Sequence, residues 1–390
     1  MALLSPKAFW FHVRQHAVVV LLSVIYPRDL SAEDAISYKY QDYQESGGRI
    51  GVRVQSAFLE KSLGSRTTLK LSGVLDTIAG ATPTGQPPAT RGGEVPLSFL
   101  EEKRKAWTAE LVRTFRVGKL ALGAAASRES DYVSRGGSLN GSIDFNQKNT
   151  SLTLGVGATD DDVKVFYRTP WEDKQSVDVI LGVTQLLGPL TLVTLNATHS
   201  RATGYLSDPY KLVQKNVEVV PGIFLPRTFG ENRPDQREKW ILHTGVNRAF
   251  WEGRGAVDAS YRYFSDDFGI QAHTVLLEWY QKWGAQITIR PHVRYSVQSA
   301  ADFYHVTLTG TSIVPERIPT GKGAYYSADY RLSALSSLNY GVKLVWDPRE
   351  DLQVDTAIER YEMRGRDGGE TSASAYPRAL ILTAGITWKF

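Results

Sequence analysis

The chain is made of stretches in which apolar and polar positions alternate, the period of a β-strand with two unlike faces. The last stretch is the clearest: Leu380, Leu382, Ala384, Ile386 and Trp388 alternate with Ile381, Thr383, Gly385, Thr387 and Lys389. Residues 285–298 set Ala285, Ile287, Ile289, Val293, Tyr295 and Val297 against Gln286, Thr288, Arg290, His292, Arg294 and Gln298. A soluble core has no use for two arginines and a histidine along one face of a strand. A water-filled lumen does. The pattern recurs at 139–146, 151–159 and 338–346, is blurred at 190–199, and is broken by Arg113, which falls on an apolar face.

Read this way, the sequence predicts strands near 35–45, 49–62, 67–78, 104–117, 119–130, 138–147, 150–159 and 174–187. Eight more follow near 190–202, 237–251, 254–266, 270–282, 284–297, 331–346, 351–363 and 378–390. Short turns at Gly64-Ser65, Gly118-Lys119, Lys148-Asn149, Gly188-Pro189, Glu252-Gly253, Trp283-Gly284 and Asp347–Asp351 alternate with longer polar stretches. The long ones lie near 79–103, 131–137, 160–173, 203–236, 298–326 and 364–377. The expected fold is all-β, one antiparallel transmembrane barrel of about sixteen strands with short periplasmic turns and long extracellular loops. A barrel that wide is not filled by its own wall side chains. Losing the first, weakest pair would leave fourteen strands.

Before residue 33 the pattern changes. Lys7 and Arg14 precede the apolar run Ala17–Tyr26, and Leu30-Ser31-Ala32 offers small residues near a cut. Residues 1–32 read as a cleaved signal peptide and 33–390 as the barrel. No later stretch reaches the length of a membrane-spanning helix.

Composition agrees with a barrel. Among 390 residues there are 19 Tyr, 14 Phe, 9 Trp and 34 Gly but no Cys. The mean hydropathy is −0.25, as for a half-polar chain. A net charge of +4 is too balanced for a nucleic-acid binder. The missing cysteines exclude thiolate metal sites, thiol nucleophiles and disulfides. Phe115, Phe145, Phe250, Trp251, Trp283, Trp346 and Trp388 fall beside the short turns or the C-terminus, where a periplasmic aromatic girdle would sit. Trp388 and Phe390 fit the terminal signal read by the barrel-insertion machinery.

Several polar motifs fall at strand ends: Asp76 with Gly80-Ala81-Thr82-Pro83, Ser127–Tyr132, Gly204–Lys211 and Glu231–Asp235. Tyr261-Arg262-Tyr263 follows, then Arg294-Tyr295 with Gln298, Ala300 and Phe303. Together they resemble a bacterial family, domain of unknown function 3570, across roughly residues 35–390. Gly204-Tyr205-Leu206-Ser207-Asp208-Pro209-Tyr210-Lys211 is the most specific element. The resemblance implies an exported outer-membrane barrel and carries no catalytic residue. Genes for flavin-transferase and thioredoxin-like proteins near such members imply a periplasmic redox partner.

The loop 203–236 is the candidate constriction, through Tyr205, Asp208, Tyr210, Lys211, Glu231, Arg233 and Asp235. It is expected to fold inward and face the wall at Arg262, Arg290, His292 and Arg294; the alternative is an external loop over the mouth held by its own ion pairs. The pore lining adds Lys343 and the acids Asp144, Asp178, Asp258, Glu278, Asp355 and Glu359. Asp160-Asp161-Asp162 reads as a solvated loop tip rather than a calcium site. No metal or cofactor is assigned. No Walker loop, His-Glu-x-x-His or dinucleotide glycine pattern occurs. The adjacent His199 and Ser200 must point to opposite faces, and His273 lies only loosely near Asp266 and Asp267.

The sequence therefore predicts no enzyme. It predicts a porin-like passive conduit for small polar solutes with a weak bias toward anions. The alternative is a non-conducting sheath that docks a periplasmic, redox or structural partner. Outer-membrane lipid and lipopolysaccharide are its expected surroundings.

Overall fold

The computed structural model describes residues 34–90, 92–165, 170–250 and 253–390. The predicted signal peptide and Trp251 lie outside the described residues. The strands are β1 (Ala35–Glu45), β2 (Gly51–Ser62), β3 (Thr67–Pro83), β4 (Leu97–Phe115), β5 (Gly118–Arg128) and β6 (Tyr132–Phe145). After them come β7 (Thr150–Val163), β8 (Glu172–Gly188), β9 (Thr191–Gly204), β10 (Leu212–Val220), β11 (Ile223–Gly230) and β12 (Gln236–Phe250). The last six are β13 (Gly255–Asp266), β14 (Gln271–Trp283), β15 (Ile287–Gln298), β16 (Leu335–Arg349), β17 (Leu352–Gly365) and β18 (Arg378–Lys389).

Among the described residues, all but β10 and β11 close into one antiparallel barrel, which β1 seals by pairing with β18. The seam runs from Ala35 opposite Lys389 to Glu45 opposite Ala379. Below it the Phe390 amide donates to the Asp34 carbonyl at 2.8 Å. Closure leaves no unpaired edge, which backbone in hydrocarbon requires. The sixteen predicted strands are all present, the weak first pair included. β10 and β11 form a separate hairpin inside the loop 205–235 that the sequence reading left without structure.

Alternation sorts the side chains as expected. Leu380, Leu382, Ile386 and Trp388 are exposed on the outer wall, while Ala379 and Ile381 are buried toward the lumen. Val177, Val179 and Leu181 on β8 and Val275 and Leu277 on β14 continue the outer apolar band. Toward the outside the band ends in charge: Lys103, Lys105, Arg128, Arg135, Arg201 and Glu238 are exposed at outward positions of their strands. Phe115, Phe145, Trp283, Trp346 and Trp388 mark its periplasmic edge, all exposed; Phe250 is half-buried, stacked at 5.9 Å on Trp279. The outward Arg113 belongs to this edge, where it donates to Thr67 Oγ1 at 2.6 Å and can reach headgroups.

Three expectations need correction. Residues 131–137 are not a loop, because β6 begins at Tyr132, and three outer connections (46–50, 129–131, 267–270) are as short as the periplasmic turns. The loop 79–103 shrinks to 84–96, since β3 and β4 are longer than predicted. Asp160–Asp162 is not a loop tip: it is strand β7, and alternation splits it. Asp161 turns inward, buried against Lys174 at 3.0 Å and the Tyr132 hydroxyl, whereas Asp162 turns out to Arg135 at 3.4 Å.

Candidate functional site

At the outer mouth of the barrel, loop residues pack against the inner wall. Tyr210 is buried in a cluster with Tyr43, Val52, Ile78, Leu100 and Ile381, all on the inner wall of β1–β4 and β18. Its hydroxyl donates to the Asp131 carboxylate. On the opposite wall Phe303 and Leu332 of the loop 299–334, with Leu206, pack against Ile241, Phe264 and Ala272. Phe303 meets Phe268 edge-on at 5.0 Å. The cap therefore spans the mouth from wall to wall. Where loops 84–96, 299–334 and 366–377 meet, one void of about 20 Å³ has room for a single water, and a more open one of about 480 Å³ lies between Tyr304–Thr307 and Gly368–Glu370.

Charge is buried at the centre of the cap. Arg233 pairs with Glu231 at 2.7 Å and with Asp329 at 2.8 Å. Arg331 pairs with both Asp208 and Asp329 at 2.5 Å. Ser327 Oγ donates to Glu231 at 2.5 Å, and Lys211 Nζ donates to the Pro83 carbonyl beneath the Tyr330 ring. Asn232 stitches the two long loops together through the carbonyls of Lys322 and Ala324, at 2.9 and 3.0 Å. Such a network is held because each charge has a partner; removing one strands the others.

Burial dominates the titration of this cluster. It pushes the Glu231 carboxyl up to about 7 and the Lys211 ammonium down to about 8. Burial is the largest single effect on Asp329 too, but Arg331, Lys211 and Arg233 together outweigh it and hold that carboxyl below the usual range, as they do for Asp208.

The expected constriction residues are thus in the mouth, but their opposing charges are Asp329 and Arg331. They are not Arg262, Arg290, His292 and Arg294 on the wall. Tyr205 packs at the rim against Tyr132, Val163 and Val165. Asp235 lies at the foot of β12, its backbone N–H donating to the Gly321 carbonyl at 3.2 Å. The sequence reading missed Asp329 and Arg331; the Asp-x-Arg spacing beside a long loop was the one local signal.

Beneath the cap, every predicted pore-lining residue occupies an inward position of its strand. Their charges interleave. Arg290 is held by Glu278 at 2.8 Å and lies over the Tyr280 ring. His292 bonds Asn339 at 3.0 Å and lies 3.5 Å from Glu359. Lys343 takes Asp355 at 2.7 Å, with Lys39 at 3.6 Å on the same carboxylate. Gly385 makes room for that bridge, since a Cβ there would come within 2.5 Å of Asp355 Oδ2. Asp144 accepts from Ser151 at 2.6 Å near the periplasmic end. Asp258 stands opposite both Asn247 and Glu278, and Asp178 stands opposite Ser200. Ser200 is buried inward while His199 leans on Trp240 outside at 4.5 Å, so the two diverge. His273 likewise faces outward, bonded to the Tyr261 hydroxyl at 2.7 Å, and Asp266 faces inward to Arg237.

A family profile described as Protein of unknown function (DUF3570) matches residues 25–98 and 89–377. The chain belongs to this family. No curated protein matches the chain. Among solved structures, a bacterial polysaccharide outer membrane secretin is 10% identical with TM-score 0.48, over 93% of this chain and 100% of that one. The siderophore receptor PirA from Pseudomonas aeruginosa is 10% identical with TM-score 0.43, over 87% of this chain and 58% of that one. This member of the DUF3570 family thus spans little more than half of that receptor. The FrpB iron transporter from Neisseria meningitidis is 10% identical with TM-score 0.45, over 92% and 81%. The barrel's own geometry decides its place: a closed sheet with an apolar outer band and a charged interior is a protein of the bacterial outer membrane.

Proposed function

We propose that this DUF3570 barrel is a gated conduit for small polar solutes, with the loop layer over its mouth as the gate. The reading rests on one observation: a wall of interleaved charges lies directly under an ion-paired cap. A barrel serving only as scaffold gains nothing from Arg290, Glu278, Lys343 and Glu359 on its inner face, where each must be desolvated or kept wet. A solute path uses them as serial weak contacts. In this reading the protein is a transporter rather than an enzyme. Outer-membrane lipid and lipopolysaccharide surround it, and the barrel-insertion machinery places it there. Any periplasmic partner, redox or otherwise, would meet the face of short turns.

The second reading is a non-conducting sheath, favoured by the packing of Tyr210, Phe303 and Leu332 into the mouth. Single-channel recording in a planar bilayer separates the two. The conduit predicts rare brief openings for the natural chain and frequent ones when the cap is unlatched by Arg233→Ala. Silence from both, with folded and inserted protein, would overturn it in favour of the sheath.

A further inference from the structure

On the outward face of β2–β5, where the apolar band ends, four cations stand together, and the strand register fixes their places. Lys105 on β4 is directly opposite Arg128 on β5, both outward and exposed. Lys103 is the next outward residue above Lys105, about 7 Å along the strand. Arg53 on β2 stands in the same row as Lys103, with only Thr77 of β3 between them, about 10 Å across the sheet. None of these four side chains makes a hydrogen bond, ion pair or ring contact among the described residues. The bond from Lys103 to Glu102 is made by its backbone N–H.

Like charges directly opposed weaken a strand pair, and elsewhere on this rim the sheet relieves its cations. Arg201 has Glu238 at 3.8 Å, and Arg135 has Asp162 at 3.4 Å. The outward acids Asp160, Asp162 and Asp173 gather on β7 and β8, away from the four. Their own neighbouring acids are Asp42, opposite Arg53 on β1, and Glu101, the next outward residue above Lys103. Asp42 accepts from Gln44 at 2.7 Å instead. Four cations against two carboxylates leave this side of the rim positive. Below the Lys105–Arg128 pair the wall is apolar and uneven. Trp107 stands out, 53% exposed, between Gly73 of β3 and Ala126 of β5, with Ala109 opposite Ala124 beneath.

We propose that Arg53, Lys103, Lys105 and Arg128 form a docking site for one lipopolysaccharide molecule, held by the phosphates of its lipid A headgroup. That headgroup carries two phosphates on a disaccharide, with acyl chains hanging from it. A phosphate between Lys105 and Arg128 replaces their repulsion with charge-assisted bonds, a planar fork on one side and a point charge on the other. Lys103 and Arg53 lie where a second phosphate of the same headgroup can reach. The acyl chains descend on either side of Trp107, over Gly73 and Ala126, where no large side chain stands in the way. A free phosphate would meet the same cations and leave that apolar ground unused. A soluble protein partner would have to cover Trp107 and Leu122, which stand in the lipid-facing band. The inner faces of β2–β4 receive Tyr210 of the cap, so a bound lipid braces the wall on which that side of the cap rests. The site is independent of whether the barrel conducts.

The test is native mass spectrometry of the refolded barrel in detergent, titrated with diphosphoryl lipid A, alongside thermal unfolding. The natural chain should retain a single lipid A and melt at a higher temperature with it. Lys105→Gln combined with Arg128→Gln should weaken retention about thirtyfold, the effect of two cations at an anionic lipid surface. Lys105→Glu, which pairs with Arg128 within the sheet, should also lose the lipid while raising the melting temperature of the lipid-free barrel. Arg135→Gln, already paired with Asp162, should change retention less than about twofold. Phosphatidylglycerol and inorganic phosphate, as separate probes, should each bind at least about tenfold more weakly than lipid A. Equal retention by the natural chain and the double variant would overturn the site. Inorganic phosphate bound as tightly as lipid A would make it a free-anion site, and phosphatidylglycerol bound as tightly would make it a general anionic surface; either would overturn the lipopolysaccharide assignment.

Discussion

Arg233 reaches from one loop to Asp329 of another, 96 residues along the chain, and the two meet at 2.8 Å with the carboxylate buried. Arg331 shares the same carboxylate. Asp329 thus joins the bonds of Asn232 and the Arg331–Asp208 pair in tying the two halves of the cap, and Asp329→Ala leaves both guanidiniums short of a counter-charge. Breaking a buried pair from one side costs about 3–5 kcal/mol. The loss falls on the cap, because the barrel's own ladder is untouched. Trypsin added outside intact vesicles should then cut at Arg317 or Lys322, both in loop 299–334, at least about tenfold faster. The barrel should keep its heat-modifiable migration. Unchanged cleavage would mean that the apolar contacts of Phe303 and Leu332 suffice.

The pH dependence of the gate follows from Glu231 and Lys211, which face Asp208, Arg233, Asp329, Arg331 and the Ser327 hydroxyl. Glu231 rises in the closed cap from 4.5 to about 7, so its contribution to closure is complete below 4.5 and lost as pH climbs to about 7. Lys211 falls from 10.5 to about 8, so its contribution is complete above 10.5 and lost as pH drops to about 8. The two signs oppose, and closure is weakest between about 7 and 8. Asp208 and Asp329, held below 3.8, add nothing to the slope above that value. Conductance should peak near neutrality and decline on both sides, and Glu231→Gln should remove the acid limb only. A monotonic profile from pH 5 to 9 would refute the assignment.

The barrel was legible in the sequence because lipid imposes one rule on every outward position. Leu380, Leu382, Ile386 and Trp388 obey it, and so do Val177, Val179 and Leu181, so each strand announces itself independently of its partners. The inward direction of Arg290, His292, Arg294, Lys343 and Glu359 came with it. The cap had no such rule. Arg331 and Asp208 are 123 residues apart, and no period links them. The β10–β11 hairpin carries Pro226 within its second strand and stands apart from the barrel sheet, which hid it. Charge type alone could suggest that Asp208 and Glu231 turn inward. It could not say that they would meet Arg331 and Arg233 rather than the wall.

Asp76 and Arg104 form a second buried pair, on β3 and β4 at the level where Tyr210 enters. The bond from Arg104 Nε to Asp76 Oδ2 is 2.7 Å, and Asp76 is wholly buried. Arg104→Ala strands a carboxylate and should lower barrel stability by about 3–5 kcal/mol, read from urea unfolding in detergent. The double change Asp76→Asn with Arg104→Met removes the charge as well and should recover most of the loss. If the double variant is no better than the single, the pair's role is packing rather than charge balance.

Interleaving on the wall makes charge selectivity depend on single residues. Glu278 and Arg290 lie on adjacent strands and cancel each other at 2.8 Å. Arg290→Ser takes the Glu278 pair from zero to a net negative charge, and Arg294→Ser takes a lone positive charge to zero, so each should shift the reversal potential toward cations by a similar amount. Glu278→Gln should act in reverse, releasing Arg290 and raising anion preference. The order expected along the anion-to-cation axis is Glu278→Gln, natural chain, then the two arginine variants together, and raising the salt should compress it as screening shortens the reach of each charge. Recording in the unlatched Arg233→Ala background supplies enough current to measure all four. Identical reversal potentials would show that ions pass away from this wall, and the solute path would have to be sought along the small residues of β5–β8, where Gly123, Gly136, Gly155 and Gly182 face the lumen.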